Sequence, residues 1–369
     1  MSPIFPRSQN KPLTTVDPVS GRVGRNVIVL GMILILLAMG FLLSLSFGSV
    51  RIPLGDVANI LTGHESGRVA FGKIIWNIRL PKAITAVLAG AALSMAGLQM
   101  QTIFRNPLAD PFVLGVNSGS SLGVAIVVLA LGPGSAVMLS GFGIAGNYAI
   151  VLAATIGAAA VLTLIMLLSA RVDLMTLLIM GLMIGYATAS VVNILMFFAM
   201  PERLQAFFSW TFGNFGTITW DQMNAFVPAI ILGLAMCLVS AKAMNAFLLG
   251  EAYARSMGVN IIFWRSWILM SASLLTGAVT GFCGPIGFIG VAVPHLTRSL
   301  LQTSDHRILF PGVLFLGGSL ALMADFVAQV PGSSIVLPLN SITALMGAPV
   351  IVWLLLSKRN LRQAFGNAE

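Results

Sequence analysis

Residues 27–48 read VIVLGMILILLAMGFLLSLSFG, a run without one ionisable side chain. A helix needs about 20 apolar residues to cross the hydrocarbon core of a bilayer, and this run meets that length. Working outward, further runs occur at 83–103, 113–132, 147–170, 174–199, 224–241, 263–283, 286–301, 308–330 and 336–356. The run at 286–301 is short and carries Pro294 and His295, and the Gly-rich stretch 133–146 reads as a loop. Composition agrees with this count. Of the 369 residues 57% are hydrophobic and 8% are charged, against about 25% charged in a soluble domain. So apolar a chain cannot hide its side chains in one globular core, and lipid must be its solvent. The expected fold class is an all-α polytopic membrane protein with about ten transmembrane helices.

The first span follows a polar tail containing Arg7, Lys11, Arg22 and Arg25. That tail is too long for the n-region of a cleavable signal, so the span reads as a membrane helix. The expected organisation is a cytoplasmic tail over 1–26, a membrane domain over 27–357 with a cytoplasmic segment at 246–262, and a second cytoplasmic tail over 358–369. Positive charge gathers on the cytoplasmic side of membrane proteins. With both tails inside, only Arg51, Arg68, Lys73, Arg79, Lys82 and Arg203 of the 20 Lys and Arg residues fall outside. All but Arg203 lie between positions 51 and 82, a concentration that needs its own cause. The net charge of +9 therefore calls for no nucleic acid.

Several chemistries lack their residues. Gly72-Lys73 is followed by Ile74 and lacks the upstream glycine of a phosphate-binding loop. His64, His295 and His306 are scattered without metal-ligand spacing. Cys237 and Cys283 fall in apolar runs and read as core packing. Carboxylates inside a bilayer mark ion pathways, yet Asp325 is the single acidic residue well within a span. It sits near a helix end, where capping or pairing is the expected role. Uphill transport by this chain would draw its energy from a partner; the alternative class is an ion-coupled secondary transporter, against which the dearth of buried carboxylates argues.

Six polar segments punctuate the spans. They are Asn77-Ile-Arg-Leu-Pro-Lys82, Phe104-Arg-Asn-Pro-Leu-Ala-Asp-Pro-Phe-Val-Leu-Gly115, Leu249-Gly-Glu-Ala-Tyr-Ala-Arg-Ser-Met-Gly-Val-Asn260, Gly284-Pro-Ile-Gly-Phe-Ile-Gly-Val-Ala-Val-Pro-His-Leu-Thr-Arg298, Asp305-His-Arg307 and Leu337-Pro-Leu-Asn-Ser-Ile-Thr-Ala-Leu-Met-Gly-Ala-Pro349. In order and spacing, from about residue 30 to 357, they resemble the FecCD-type permeases of ABC importers for iron-siderophores, haem and cobalamin. The resemblance implies the type II importer architecture of the cobalamin permease, in the bacterial inner membrane. It implies a second permease copy, two cytoplasmic ATPase subunits that bind ATP and Mg, and a periplasmic or lipid-anchored substrate-binding protein. The permease itself is then no enzyme and holds no cofactor. A ferric siderophore is the expected cargo, with cobalamin or haem as alternatives.

The resemblance also assigns residues. Leu249, Gly250, Glu251, Ala252, Arg255, Met257 and Gly258 fall in the segment that docks on the ATPase. Leu248, Leu249, Ala252 and Met257 offer an apolar ridge, with Glu251 and Arg255 one helical turn apart on one face. Arg79 and Lys82 correspond to basic residues that receive acidic groups of the binding protein; a further docking arginine of some relatives is Gln329 here. Leu174, Met175 and Thr176 fall where related permeases form a cytoplasmic gate. The aromatic stretch from Phe207 to Trp220 is expected as an external helix with an interfacial belt.

Overall fold

A computed structural model describes residues 19–64, 68–131, 147–169, 171–332 and 335–356. Among these residues all regular structure is helical. The stretch 133–146, expected as a loop, lies outside them, as do both ends of the chain.

Helix α1 (Val19–Ser46) takes in the opening run as far as Ser46. It starts ahead of Val27, so part of the expected tail is helical, and Arg25 there donates to Gln302 Oε1 (2.6 Å) and the Leu301 carbonyl (3.1 Å). Most of its apolar side chains are exposed, which only lipid can solvate. Helix α2 (Leu54–Leu61) buries Val57 and Ile60; it is too short for a hydropathy window to register.

The largest departure from expectation is α3 (Val69–Ile103). The basic stretch before Ala83 is not a connecting loop but the first turns of a long helix, with a π turn at Ile75–Arg79. Leu80 N–H donates to the Ile75 carbonyl in the wide i→i−5 pattern. Pro81 comes next and has no N–H for the Trp76 carbonyl. The indole Nε1 of Trp220 supplies that bond at 2.8 Å. From Ala89 to Ile103 every residue of α3 is buried.

The chain continues through α4 (Val116–Ala125, extended by a π turn at Ile126–Leu131), α5 (Asn147–Ser169), α6 (Leu174–Phe198) and α7 (Pro201–Thr211). It then forms α8 (Trp220–Val239), α9 (Ala241–Leu248), α10 (Glu251–Ser256) and α11 (Ile261–Cys283). Last come α12 (Ile289–Leu301), α13 (His306–Ala328) and α14 (Leu339–Leu356). Seven of these helices are long and apolar enough to cross a membrane: α1, α3, α5, α6, α8, α11 and α13. The shorter α4, α12 and α14 occupy the three remaining expected spans. Helix α7 holds the start of the aromatic stretch, beginning at Pro201 rather than Phe207. Cys237 and Cys283 are buried free thiols.

With 13 residues, α12 is roughly 20 Å long and cannot span the hydrocarbon alone. The chain reaches it through non-helical residues 284–288. Irregular backbone is tolerated at membrane depth only where protein surrounds it. Here Asn340 Oδ1 accepts from Gly287 N–H (3.1 Å), and the Phe282 and Cys283 carbonyls accept from Thr217 Oγ1 (3.1 Å) and Asn214 N–H (2.8 Å). Two of the six polar segments thus meet in one plug.

Glycines set how closely α3 is wrapped. A Cβ on Gly97 would lie 1.8 Å from the Gly290 carbonyl oxygen on α12, and one on Gly90 would lie 2.2 Å from that of Gly317 on α13. Both are backbone contacts, which cannot swing aside. Of the glycines at GxxxG spacing in the sequence, Gly185, Gly277 and Gly281 make looser contacts. We expect Gly97→Ala to cost about 1–3 kcal/mol or more by overpacking. Gly72→Ala, in the same helix but facing open space, should be neutral or stabilising by up to ~1 kcal/mol. Thermal unfolding in detergent compares the two.

Candidate functional site

The polar segments gather at the two ends of the bundle. At one end lie α9 and α10, joined through Leu249 and Gly250. Gly250 has φ +100°, which a side chain would strain, and it starts α10 without a capping side chain. The helix closes on Gly258 (φ +81°). Val259 N–H reaches back to the Ala254 carbonyl (3.1 Å) and Gly258 N–H to that of Arg255 (3.0 Å), the paired bonds of a Schellman stop. Leu249, Tyr253 and Met257, spaced four apart, are 61%, 54% and 48% exposed. Ala252, Arg255 and Gly258 are exposed beside them, while Ala254 is buried. The ridge expected from the sequence therefore runs through Tyr253, with Leu248 half-buried behind it.

Glu251 does not pair with Arg255, its neighbour one turn on. Its Oε1 accepts from Arg265 Nη2 at 2.7 Å. The other arm, Nη1, donates to the Ser169 carbonyl (3.0 Å) and more weakly to that of Val172 (3.4 Å). One guanidinium thus joins α10 to the end of α5 and the turn before α6. Asp173 caps α6, accepting from Met175 N–H (3.1 Å), Thr176 N–H (3.2 Å) and the Thr176 hydroxyl. The Thr176 hydroxyl and N–H hold the Asp173 carboxyl below the usual carboxylate range. Met175 is 68% exposed. A cavity of about 240 Å³ lies among Phe104, Asn106, Asp173, Met175, Glu251 and Arg265. Expected gate and docking residues are thus brought together, through an arginine that sequence reasoning placed only in the charge census. Its signal was available: a cation one turn inside an apolar helix.

The segment after α3 is locked to the same end. Asn106 and Asp110 close local turns by accepting from Leu108 and Phe112 N–H (2.9 Å each). His295 Nε2 donates to the Pro107 carbonyl at 2.6 Å, and Arg298 Nη1 to Gln101 Oε1 at 2.6 Å. Asn245 on α9 donates to Asp305 Oδ1 (2.8 Å) and accepts from His306 N–H (3.0 Å), while His306 Nε2 meets Thr102 Oγ1 at 2.9 Å. Burial pushes the Asp110 carboxyl up to about 6, against the Phe112 N–H that lowers it.

At the opposite end Arg79 and Lys82 are engaged within the fold. Arg79 is buried and donates to the Leu45 carbonyl (2.7 Å) and to the Val50 carbonyl. Lys82 pairs with Asp325 at 2.9 Å, and Gln329 donates to the other Asp325 oxygen at 2.6 Å. Asp325 thus takes the helix-end pairing expected of it. Arg51, Arg68 and Lys73 are the exposed cations of this region.

The FecCD transport family matches residues 35–357. A vitamin B12 import system permease protein BtuC of Citrobacter koseri is 36% identical over 91% of this chain and 96% of its own length. One from Shigella boydii is 36% identical over 88% of this chain and 94% of its own. A solved metal-chelate type ABC transporter in an inward-facing conformation superposes with a TM-score of 0.78 at 26% identity, covering 89% of this chain and 99% of that one.

Two outcomes follow from the buried charges. Lys82→Met leaves Asp325 buried without a cation and should cost about 3–5 kcal/mol, most of it recovered in Lys82→Met/Asp325→Leu; thermal unfolding in detergent reads both. The raised folded-state pKa of Asp110 makes ionisation a burden above about pH 6 that fades towards pH 4. Asp110→Asn keeps the bond from Phe112, so it should raise the melting temperature at pH 7.5, with the gain shrinking as pH falls below 6.

Proposed function

The chain belongs to the FecCD transport family and is the permease subunit of an ABC importer, and from that premise we propose that its cargo is a cobalamin. The observation that carries this reading is near-full-length identity of 36% to permeases named for vitamin B12 import. The expected ferric siderophore finds no such support. Cobalamin is itself a chelated metal, so the metal-chelate transporter of like fold agrees with either cargo.

In this reading the α10 end faces the cytoplasm with both chain termini. A lone exposed row of Leu249, Tyr253 and Met257 on a six-residue helix suits a groove on a soluble ATPase. Leu249, Gly250, Glu251, Ala252, Arg255, Met257 and Gly258 are its docking segment, and α6 from Leu174 through Met175 and Thr176 is the gate. The opposite end receives the binding protein. Arg51, Arg68 and Lys73 supply the exposed charge for that encounter, around the engaged Arg79 and Lys82. A second copy of the chain completes the pathway. The inner membrane of a bacterium is the setting, and two ATPase subunits hold ATP and Mg.

Proteoliposomes carrying this chain, its ATPase and its binding protein test the proposal. The expected outcome is uptake of cyanocobalamin that requires all three components and ATP. Uptake of a ferric siderophore but not cyanocobalamin would overturn the cargo. Uptake by the chain alone, driven by an ion gradient, would overturn the importer reading.

A further inference from the structure

Helix α10 is bounded by two glycines at positive φ, Gly250 and Gly258, and so forms a short unit between two pivots. Its carboxylate, Glu251, is tied to Arg265, whose other arm holds the carbonyls of Ser169 and Val172. The last carbonyls of a helix lack intrahelical partners, and a cation there also meets the negative end of the helix dipole. Arg265 therefore completes the end of α5 with one nitrogen while gripping α10 with the other. The planar fork of arginine can do both at once; a lysine ammonium on a flexible stem cannot hold the same two directions. On the far side of the turn, Asp173 fastens the start of α6 through Met175 and Thr176. The cavity of about 240 Å³ lies between Arg265 and the first turns of α6, at Met175 and Leu178.

We propose that Arg265 is the positioning residue that transmits displacement of α10 to the α5–α6 turn and thereby sets the position of the gate at Met175. The inference rests on the reading of α10 as the ATPase-docking helix. It adds a specific link that the sequence motifs do not contain. A purely structural role, capping α5, would require the carbonyl bonds but not the bond to Glu251.

The test uses the complete complex in proteoliposomes. Cys237 and Cys283 are buried, so a thiol reagent reads Met175→Cys as a reporter of the gate. In Arg265→Lys we expect the ATPase to co-purify as with the parent chain. Uptake per ATP hydrolysed, and the nucleotide-dependent change in labelling at position 175, should each fall about tenfold, within the range of coupling changes seen for linking residues. Glu251→Gln, which leaves the α5 cap intact, should shift both in the same direction. The inference is overturned if Arg265→Lys and Glu251→Gln both keep the full nucleotide-dependent change in labelling. It is overturned equally if Arg265→Lys loses the ATPase, since Arg265 would then act in docking. Failure of the parent reading shows elsewhere, as a parent chain that binds no ATPase.

Discussion

Helix α3 is enclosed by protein, and the rest of the molecule is arranged around that enclosure. Between helices in lipid there is no hydrophobic driving force, because the tails are as apolar as leucine. What holds them is close packing and hydrogen bonding. Gly90 and Gly97 let the backbones of α13 and α12 come into direct contact with α3. With lipid excluded, α3 carries polar side chains at depth, each with a partner. Gln99 donates to Ser271 (3.0 Å), which donates to the Gly233 carbonyl (2.9 Å). Gln101 bridges Arg298 and the Val291 carbonyl. Glycine contact and polar contact therefore work as one device: the first shuts out lipid, and the second becomes favourable because of it.

That device also explains what hydropathy could and could not reveal. The ten runs were legible because each crossing must be mostly apolar, and the six polar segments because their order is a family trait. The start of α3 was not legible. Lys73, Arg79 and Lys82 look like a loop to any window that averages charge, yet the backbone there is helical. Two of these cations are engaged by partners distant in sequence: Arg79 donates to the Leu45 carbonyl, and Lys82 pairs with Asp325. Glu251 shows the same limit. Local spacing offers Arg255, but the fold brings Arg265 closer, and an exposed i,i+4 pair yields only about 0.3–0.5 kcal/mol. The α12 entry was legible only as a short span with a proline. Its irregular backbone became intelligible once Asn340 was seen to hold it.

The packing is uneven in a way that bears on movement. In α3 the membrane-spanning window is 83% buried, and in α11 and α13 it is 72% and 67%. In α5 and α6 the corresponding figures are 28% and 22%. Backbone-to-backbone contacts such as Gly97–Gly290 leave no slack, so α3, α12 and α13 move together or not at all. Helix α5 is itself held backbone to backbone on α4, where a Cβ on Gly157 would lie 2.0 Å from the Gly119 carbonyl oxygen, so α6 is the loosely packed member and displaces at lower cost. The guanidinium of Arg265, at the start of the well-packed α11, reaches the turn that leads from α5 into this looser helix.

The opposite end follows a different electrostatic logic. A buried ion pair contributes little field at a distance, since its opposite charges cancel. Lys82–Asp325 is such a pair, with side chains 14% and 5% exposed, and the Arg79 charge is directed inward at carbonyls. Attraction of an acidic partner across a Debye length of about 8–10 Å must therefore come from cations that face water. Arg51, Arg68 and Lys73 are so placed. Arg51 also rests over the Phe47 ring at 5.4 Å, which orients its charge without burying it. The concentration of positive charge between residues 51 and 82 thus divides into two groups. Its exposed members stand at the surface, and its engaged members hold α1 and α13 against α3.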